Sequence, residues 1–153
     1  SKVASSVLRN EIAQNSGLIL FPGGSSPISF YKELVRNSMD WKNITIMATD
    51  DRVAPLNSVY SNTGMIQKEL IDQIEKRCQP TLMDVFPKNE IDINKALIAI
   101  QRKLKNNLPK IAFLGMGRDG HTAGIFKENN IILVYEILNF LHIRRVACNV
   151  CKT

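Results

Sequence analysis

The stretch at residues 18–37 reads LILFPGGSSPISFYKELVRN and contains three kinds of segment in succession. Residues 18–21 are apolar throughout, which is typical of a strand covered on both faces of a parallel sheet. Residues 22–27 hold two glycines, two serines and two prolines, which predicts a loop. Residues 28–37 then predict a helix, with Ser26 as its cap and Pro27 at its first position. A strand, a loop and a helix in this order favour an α/β fold.

The same alternation continues on both sides of this stretch. The spacing of apolar residues predicts helices at residues 3–14, 62–74 and 93–104, the second of them capped by Ser61 or Asn62. Apolar runs predict strands at residues 44–49, 82–86 and 110–114. Residues 1–126 are therefore expected to form one α/β domain. The apolar residues of 127–153 have neither the spacing of a helix nor that of a strand. We therefore expect residues 127–153 to form a C-terminal tail of unassigned structure.

The composition is that of one ordinary globular domain, with 153 residues, 44% hydrophobic and 22% charged. The formal net charge of +6 comes from scattered lysines and arginines without interleaved aromatic residues, so no nucleic-acid partner is expected. The longest apolar runs are far shorter than the roughly 20 residues that cross a bilayer, so no membrane span is expected. An odd number of cysteines and no leader-like segment at residue 1 favour a cytoplasmic location.

The loop at residues 22–27 has the features of an anion site. Gly23 and Gly24 let the backbone approach a ligand closely, and Ser25 and Ser26 offer hydroxyl donors. The following helix adds free N–H groups and the positive end of its dipole. A tight turn that only caps a helix is the alternative interpretation.

Asp50, Asp51 and Arg52 follow the next predicted strand, with Ser61 and Asn62 a little later. The guanidinium group is a planar fork suited to phosphate or carboxylate oxygens, and neighbouring carboxylates can orient it or bind sugar hydroxyls. A surface turn with a local ion pair is the alternative.

Residues 114–126 read LGMGRDGHTAGIF and are the most informative loop. Four glycines surround Asp119 and His121, which favours a backbone shaped around a ligand. Histidine has a reference pKa of about 6.5, so His121 can accept a proton from water near neutral pH; a structural histidine is the alternative. All three loops follow strands, and in an open parallel sheet ligands bind beyond the carboxyl ends of the strands, so we expect the loops to converge.

A metal site is not expected. Cys148 and Cys151 have the spacing of half a zinc site and His142 is near them in sequence, but a structural zinc needs four ligands and only the distant Cys78 remains.

In this order, the three loops resemble motifs of the 6-phosphogluconolactonase family, within the glucosamine/galactosamine-6-phosphate isomerase superfamily. Residues 114–126 are similar to its signature Leu-Gly-Met-Gly-x-Asp-Gly-His-Thr-Ala-Ser-Leu-Phe and differ at Gly124 and Ile125. Residues 23–27 resemble its Gly-Gly-Ser/Thr-Thr-Pro phosphate loop, and residues 50–55 its Asp-Glu-Arg-x-Val-Pro segment. Ser61 and Asn62 fall where the family has Ser-Asn. The resemblance covers roughly residues 3–126.

The resemblance implies an α/β fold with an open, mostly parallel Rossmann-like sheet and helices on both faces. It also implies hydrolysis of 6-phospho-D-glucono-1,5-lactone to 6-phospho-D-gluconate, in the oxidative pentose phosphate pathway. His121 would activate water as general base, and Asp119 would orient the imidazole or the substrate. No metal, organic cofactor or partner other than the phosphorylated sugar lactone is expected, and the oligomeric state is left open. The expected substrate-binding residues are Gly23, Gly24, Ser25, Ser26, Asp51, Arg52, Asn62 and Gly117.

Two alternatives stay open. Related amino-sugar-phosphate isomerases and deaminases share the fold and an Asp-Gly-His loop. They usually have Ile-Ala-Phe-Asn after that histidine and Asp-Glu-Tyr where this chain has Asp50, Asp51 and Arg52, and both departures favour the lactonase. The other alternative is a non-catalytic remnant of the lactonase family. It is supported by residues 127–153, which do not match the Arg-containing strand and Gly-x-x-Lys stretch found in the family's later part.

Overall fold

A computed structural model of the chain describes residues 2–14, 16–37, 39–86, 92–116, 118, 120–123 and 146–149. These residues contribute five strands to one sheet: β1 (Gly17–Phe21), β2 (Ile44–Ala48), β3 (Thr81–Met83), β4 (Pro109–Gly115) and β5 (Val146–Asn149). The strand order is β3-β2-β1-β4-β5, and every neighbouring pair is parallel. The alternation in the sequence thus predicted the fold class correctly.

Helices flank the sheet, and the described ones are α1 (Lys2–Gln14), α2 (Ile28–Arg36), α3 (Asn62–Glu69) and α4 (Ile93–Asn106). The predicted positions of α1, α2 and α4 are confirmed to within two residues at each end. The third helix is shorter than predicted, because the backbone of Leu70 leaves the helical region. The chain then continues as two single 3-10 turns, Ile71–Gln73 and Lys76–Cys78.

The sheet is buried on both faces. Ile19 and Phe21 of β1 belong to the larger core cluster, which α1, α2 and α3 cover. Leu18 and Leu20 point to the other face and pack with Ile100 of α4. Because successive side chains of a strand point to opposite faces, burial on both sides requires an uninterrupted apolar run. That requirement explains the apolar residues 18–21.

The two helix starts that were predicted from capping residues differ in outcome. Ser61 caps α3, where its Oγ accepts a hydrogen bond from the N–H of Gly64 at 3.0 Å. The prediction that Ser26 caps α2 is wrong, because α2 starts from Pro27 without any side-chain cap hydrogen bond. Pro27 itself precedes the first helical residue instead of being it. The hydroxyl of Ser26 is therefore not used by the helix.

The strand β5 lies in the tail that the sequence left unassigned. It pairs in parallel with β4, where Ala112 lies opposite Val146 and Gly115 lies opposite Asn149. The predicted boundary at residue 126 lies outside the described residues and stays a prediction.

The strand order places a topological switch point at the centre of the sheet. From β1 the chain passes to β2 on one side, whereas β4 lies on the other side of β1. Loops that leave adjacent strands in opposite directions open a crevice between them, at the carboxyl ends of the strands. The crevice therefore lies between the loops that follow β1 and β4.

Thr63 of α3 is 0% exposed, and its hydroxyl has no hydrogen-bond partner among the described residues. A buried donor without a partner costs free energy that a methyl group of similar shape does not. We therefore expect Thr63→Val to raise the free energy of unfolding by about 1 kcal/mol. Urea unfolding followed by the fluorescence of Trp41, the chain's one tryptophan and a fully buried residue, measures this change.

The matched control is Thr63→Ser, which keeps the hydroxyl and removes the methyl group. It should lower stability by about 1 kcal/mol, because it leaves a small cavity. A valine variant that unfolds at lower urea than the parent would show that the hydroxyl stabilises the fold.

Candidate active site

Three loops extend from the carboxyl ends of the central strands: the β1 loop (residues 22–27), the β2 loop (residues 49–61) and the β4 loop (residues 116–123). They contain all the residues that the sequence assigned to the site except Asn62, which is the first residue of α3. The amide of Thr49 donates to the carbonyl of Phe21 at 2.9 Å and joins the β2 loop to the end of β1.

The β1 loop is fixed at its first residue and open in its middle. The hydroxyl of Tyr31, on α2, donates a hydrogen bond to the carbonyl of Pro22. Burial raises the pKa of Tyr31, so the hydroxyl keeps its proton and remains a donor. Gly24 has φ +80°, and apart from its chain neighbours no described residue has an atom within 4 Å of the position that a Cβ would take. Ser25 and Ser26 are exposed, so the loop offers two serine hydroxyls to a ligand.

Asp51 ties the β2 loop to α3. Its Oδ1 accepts hydrogen bonds from the backbone N–H groups of Arg52 and Asn62, both at 2.8 Å, and its Oδ2 accepts one from Thr63 at 3.0 Å. The hydroxyl of Ser61 lies 3.5 Å from the same Oδ2. A carboxylate at a helix N-terminus satisfies free N–H groups and is stabilised by the helix dipole.

Asn62 is the centre of the polar network and is only 4% exposed. Its Oδ1 accepts a hydrogen bond from Nη1 of Arg52 at 2.9 Å. Its Nδ2 donates to the backbone carbonyl of Asp50 at 2.9 Å and to Oδ2 of Asp50 at 3.2 Å. The carboxamide also lies against Gly23, and a Cβ added at Gly23 would be only 1.9 Å from Cγ of Asn62. The guanidinium of Arg52 is therefore held beside the glycine loop.

The β4 loop returns toward its own strand. Met116 and Thr122 form an antiparallel bridge, which brings Thr122 back beside the end of β4. Gly120 has φ +85°, and Ala123 has φ +53°, which is uncommon for a residue with a side chain. At the base of this loop, Gly115 lies against Pro22. A Cβ added at Gly115 would be 3.8 Å from the Cβ of Pro22. The β1 and β4 loops are therefore neighbours.

His121 is half-buried between Gly120 and Thr122. Its position places a titratable imidazole in the loop that borders the crevice. Gly117 and Asp119 lie outside the described residues, so their assignments stay predictions. Among the described residues, no three His, Cys, Asp or Glu side chains cluster closely enough to hold a metal ion.

The structure adds Tyr31 to the candidate site and gives Asp50, which the sequence named only as part of the motif at residues 50–52, a contact of its own. Asp50 accepts a hydrogen bond from Asn62 through its side chain, and Tyr31 anchors the β1 loop. The signal for Tyr31 was available, because a tyrosine on the buried face of a helix needs a partner for its hydroxyl. For Asp50 the signal was its place directly after a buried strand.

A groove of about 1030 Å³ lies between the β2 loop and α3 and is separate from the crevice. Its walls mix apolar side chains such as Val53 with charged ones such as Lys68 and Asp72, and they include neither Arg52 nor His121. None of the described residues that line it belongs to the β1 or β4 loop, so we place the candidate site in the crevice between the three loops.

The sequence of residues 2–139 matches a family model described as glucosamine-6-phosphate isomerases/6-phosphogluconolactonase. The chain belongs to this family. A 6-phosphogluconolactonase of Neisseria meningitidis serogroup A is 31% identical to it over 122 residues, which are 79% of this chain and 53% of the relative. A 6-phosphogluconolactonase of Helicobacter pylori is also 31% identical, over 80% of this chain and 53% of the relative. The chain thus spans about half the length of these curated relatives.

Solved structures of the family have the same fold. The 6-phosphogluconolactonase of Thermotoga maritima superposes with a TM-score of 0.65 at 25% identity, over 82% of this chain and 60% of that one. A monomeric glucosamine-6-phosphate deaminase superposes with the same TM-score at 18% identity, over 79% of this chain and 52% of that one. The second likeness shows the fold alone. In the part of the chain that the structure describes, no helix is long and apolar enough to span a membrane.

Proposed function

We propose that this protein hydrolyses 6-phospho-D-glucono-1,5-lactone to 6-phospho-D-gluconate. The observation that carries this proposal is the position of Arg52, which Asn62 holds beside the glycine loop at the switch point of the sheet. A guanidinium group, two exposed serine hydroxyls and the N-terminus of α2 together suit a dianionic phosphate. The names of the relatives, which are 6-phosphogluconolactonases, support the same substrate class.

The phosphate would occupy the β1 loop, on the backbone of Gly23 and Gly24 and the hydroxyls of Ser25 and Ser26. Arg52 would supply positive charge to it or to the carboxylate of the product. Asp51 and Asn62 belong to the same site, because they hold this arginine and the loop together. Bound in this way, the substrate would reach from the β1 loop toward the neighbouring β4 loop.

The chemical step we propose is attack of water on the lactone carbonyl. His121 takes a proton from the water as its oxygen bonds to the carbonyl carbon, and the carbonyl oxygen becomes an oxyanion. Backbone N–H groups of the β4 loop, that of Gly117 among them, would stabilise this charge, and Asp119 would orient the imidazole or the substrate. The intermediate then collapses, the bond to the ring oxygen breaks, and the ring oxygen takes the proton from His121. Neither a metal nor an organic cofactor takes part in this sequence.

The amino-sugar-phosphate isomerase or deaminase is the rival reaction within the family. Arg52 favours the lactonase, because it stands at the motif position where those enzymes usually have the tyrosine of Asp-Glu-Tyr.

Ser25→Asp tests the phosphate position. The variant puts a carboxylate into the proposed anion site, where two unit charges 4 Å apart repel by about 1 kcal/mol even in water. The phosphate of 6-phosphogluconate carries nearly two charges, so its affinity should fall roughly tenfold or more. Stability should change little, because Ser25 is exposed. Titration calorimetry with 6-phosphogluconate measures the effect, and gluconate, which lacks the phosphate, is the matched ligand.

Ser6→Asp is the control variant, because it adds the same charge at an exposed position of α1. It should bind 6-phosphogluconate as the parent does. Equal affinities of the parent and of Ser25→Asp would remove the β1 loop from the phosphate site.

A further inference from the structure

The carboxylate of Asp51 is already fully engaged within the protein. Each of its oxygens accepts at least one hydrogen bond from a backbone N–H group. The donors belong to two segments that are about ten residues apart in sequence, Arg52 on one side and Asn62 with Thr63 on the other. Asp51 therefore joins the start of the β2 loop to the start of α3.

This junction determines where the side chain of Asn62 lies. Asp51 holds the backbone N–H of Asn62, and the carboxamide of Asn62 fills the space against Gly23. The same carboxamide holds Arg52 through its Oδ1. A shift at the N-terminus of α3 would consequently move the asparagine, its contact with the glycine loop and the guanidinium together.

We propose that Asp51 is a positioning residue of the anion site, which acts on the ligand through Asn62 and Arg52 and not by contact. The proposal rests on the proposed function for the identity of the ligand. Its chemistry is specific to a carboxylate, because both oxygens must be acceptors. In Asp51→Asn, the amide NH₂ group would face at least one backbone N–H donor, so one hydrogen bond would be lost and two donors would oppose each other.

The experiment compares Asp51→Asn with Asp92→Asn. Asp92 caps α4 in a similar way, since its Oδ1 accepts from the N–H groups of Asn94 and Lys95 at 3.0 and 3.3 Å. Both variants lose a capping carboxylate and should melt at lower temperature than the parent. Only Asp51→Asn should also disturb the anion site. Two readouts separate these effects: the side-chain amide resonance of Asn62 in ligand-free protein, and the affinity for 6-phosphogluconate.

In Asp51→Asn we expect the Asn62 amide resonance to move toward that of a solvent-exposed asparagine and the affinity to fall roughly tenfold, because small displacements of binding groups have large effects. Asp51→Glu keeps the charge and both acceptors, and it should bind with an affinity between those of the parent and Asp51→Asn. In an Arg52→Ala background, Asp51→Asn should cost little further affinity, because both changes remove the same interaction.

Three results would overturn the proposal. The first is an unchanged Asn62 resonance and affinity in Asp51→Asn together with a lower melting temperature, which would make Asp51 a helix cap only. The second is a loss of binding free energy in Asp51→Asn that is as large in the Arg52→Ala background as in the parent. The third is an equal loss in Asp92→Asn. If the parent itself does not bind 6-phosphogluconate, the proposed function fails, whereas the Asn62 resonance still decides whether Asp51 positions the site.

Discussion

His121→Asn should lower lactone hydrolysis by about a hundredfold or more, because general base catalysis contributes about 10² to 10⁴ in rate. Asparagine keeps much of the size and some of the hydrogen bonding of histidine, but it cannot accept the proton from water. The affinity for 6-phosphogluconate should hardly change, because the proposed contacts to the phosphate come from the β1 loop and Arg52. The rate is measured on freshly prepared 6-phosphogluconolactone, with spontaneous opening subtracted and EDTA present throughout.

His142→Asn is the control, because it makes the same replacement at the chain's other histidine, outside the three loops. It should hydrolyse the lactone at the parent rate. If His121→Asn also retains the parent rate above the spontaneous background, His121 is not the base.

Gly23→Ala should disable the site through a steric conflict. The added Cβ would lie 1.9 Å from Cγ and 2.1 Å from Oδ1 of Asn62, so the carboxamide or the loop must move. Such overpacking costs typically about 1–3 kcal/mol in stability, and a displacement of about 1 Å at a site can lower the rate by about a hundredfold. We therefore expect both a lower melting temperature and a loss of 6-phosphogluconate binding.

Asn62→Ala provides the matched background for this test, because it removes Cγ, Oδ1 and Nδ2 of Asn62, the three atoms nearest to the new Cβ. In that background, Gly23→Ala should cost little further stability. Binding should remain weak, because Arg52 has lost its acceptor. An equal stability loss in both backgrounds would mean that the glycine is needed for a reason other than its contact with Asn62.

The sequence predicted those parts of the fold that local patterns encode. The apolar run of residues 18–21 identified β1, the spacing of apolar residues identified α1 and α4, and the loop ending in Pro27 identified the position of α2. The end of α3 was not predictable in this way, because the change to a 3-10 turn at Ile71 does not interrupt the apolar pattern. The strand β5 was also missed, since its pairing with β4 joins residues 34 positions apart, such as Ala112 and Val146, and the apolar residues of 127–153 have no regular spacing.

For the site, the sequence indicated which residues matter but not how they are connected. Adjacent glycines, an arginine after a strand and a histidine among glycines are visible in the chain. The contact of Asn62 with Gly23 is not, because it joins residues about 40 positions apart. Asp51 illustrates the same limit, because the motif does not show that both of its carboxylate oxygens accept backbone hydrogen bonds, the observation on which its proposed positioning role rests. That observation depends on distances, which a motif does not contain.

The most direct test of the proposed function is the rate of 6-phosphogluconolactone opening with the purified protein, compared with the spontaneous rate in the same buffer. We predict a saturable acceleration that 6-phosphogluconate inhibits, and a much weaker effect on the unphosphorylated gluconolactone, which cannot occupy the anion site. A folded protein that leaves the opening rate at the spontaneous value at every concentration would contradict the proposed function and identify the chain as a non-catalytic member of its family.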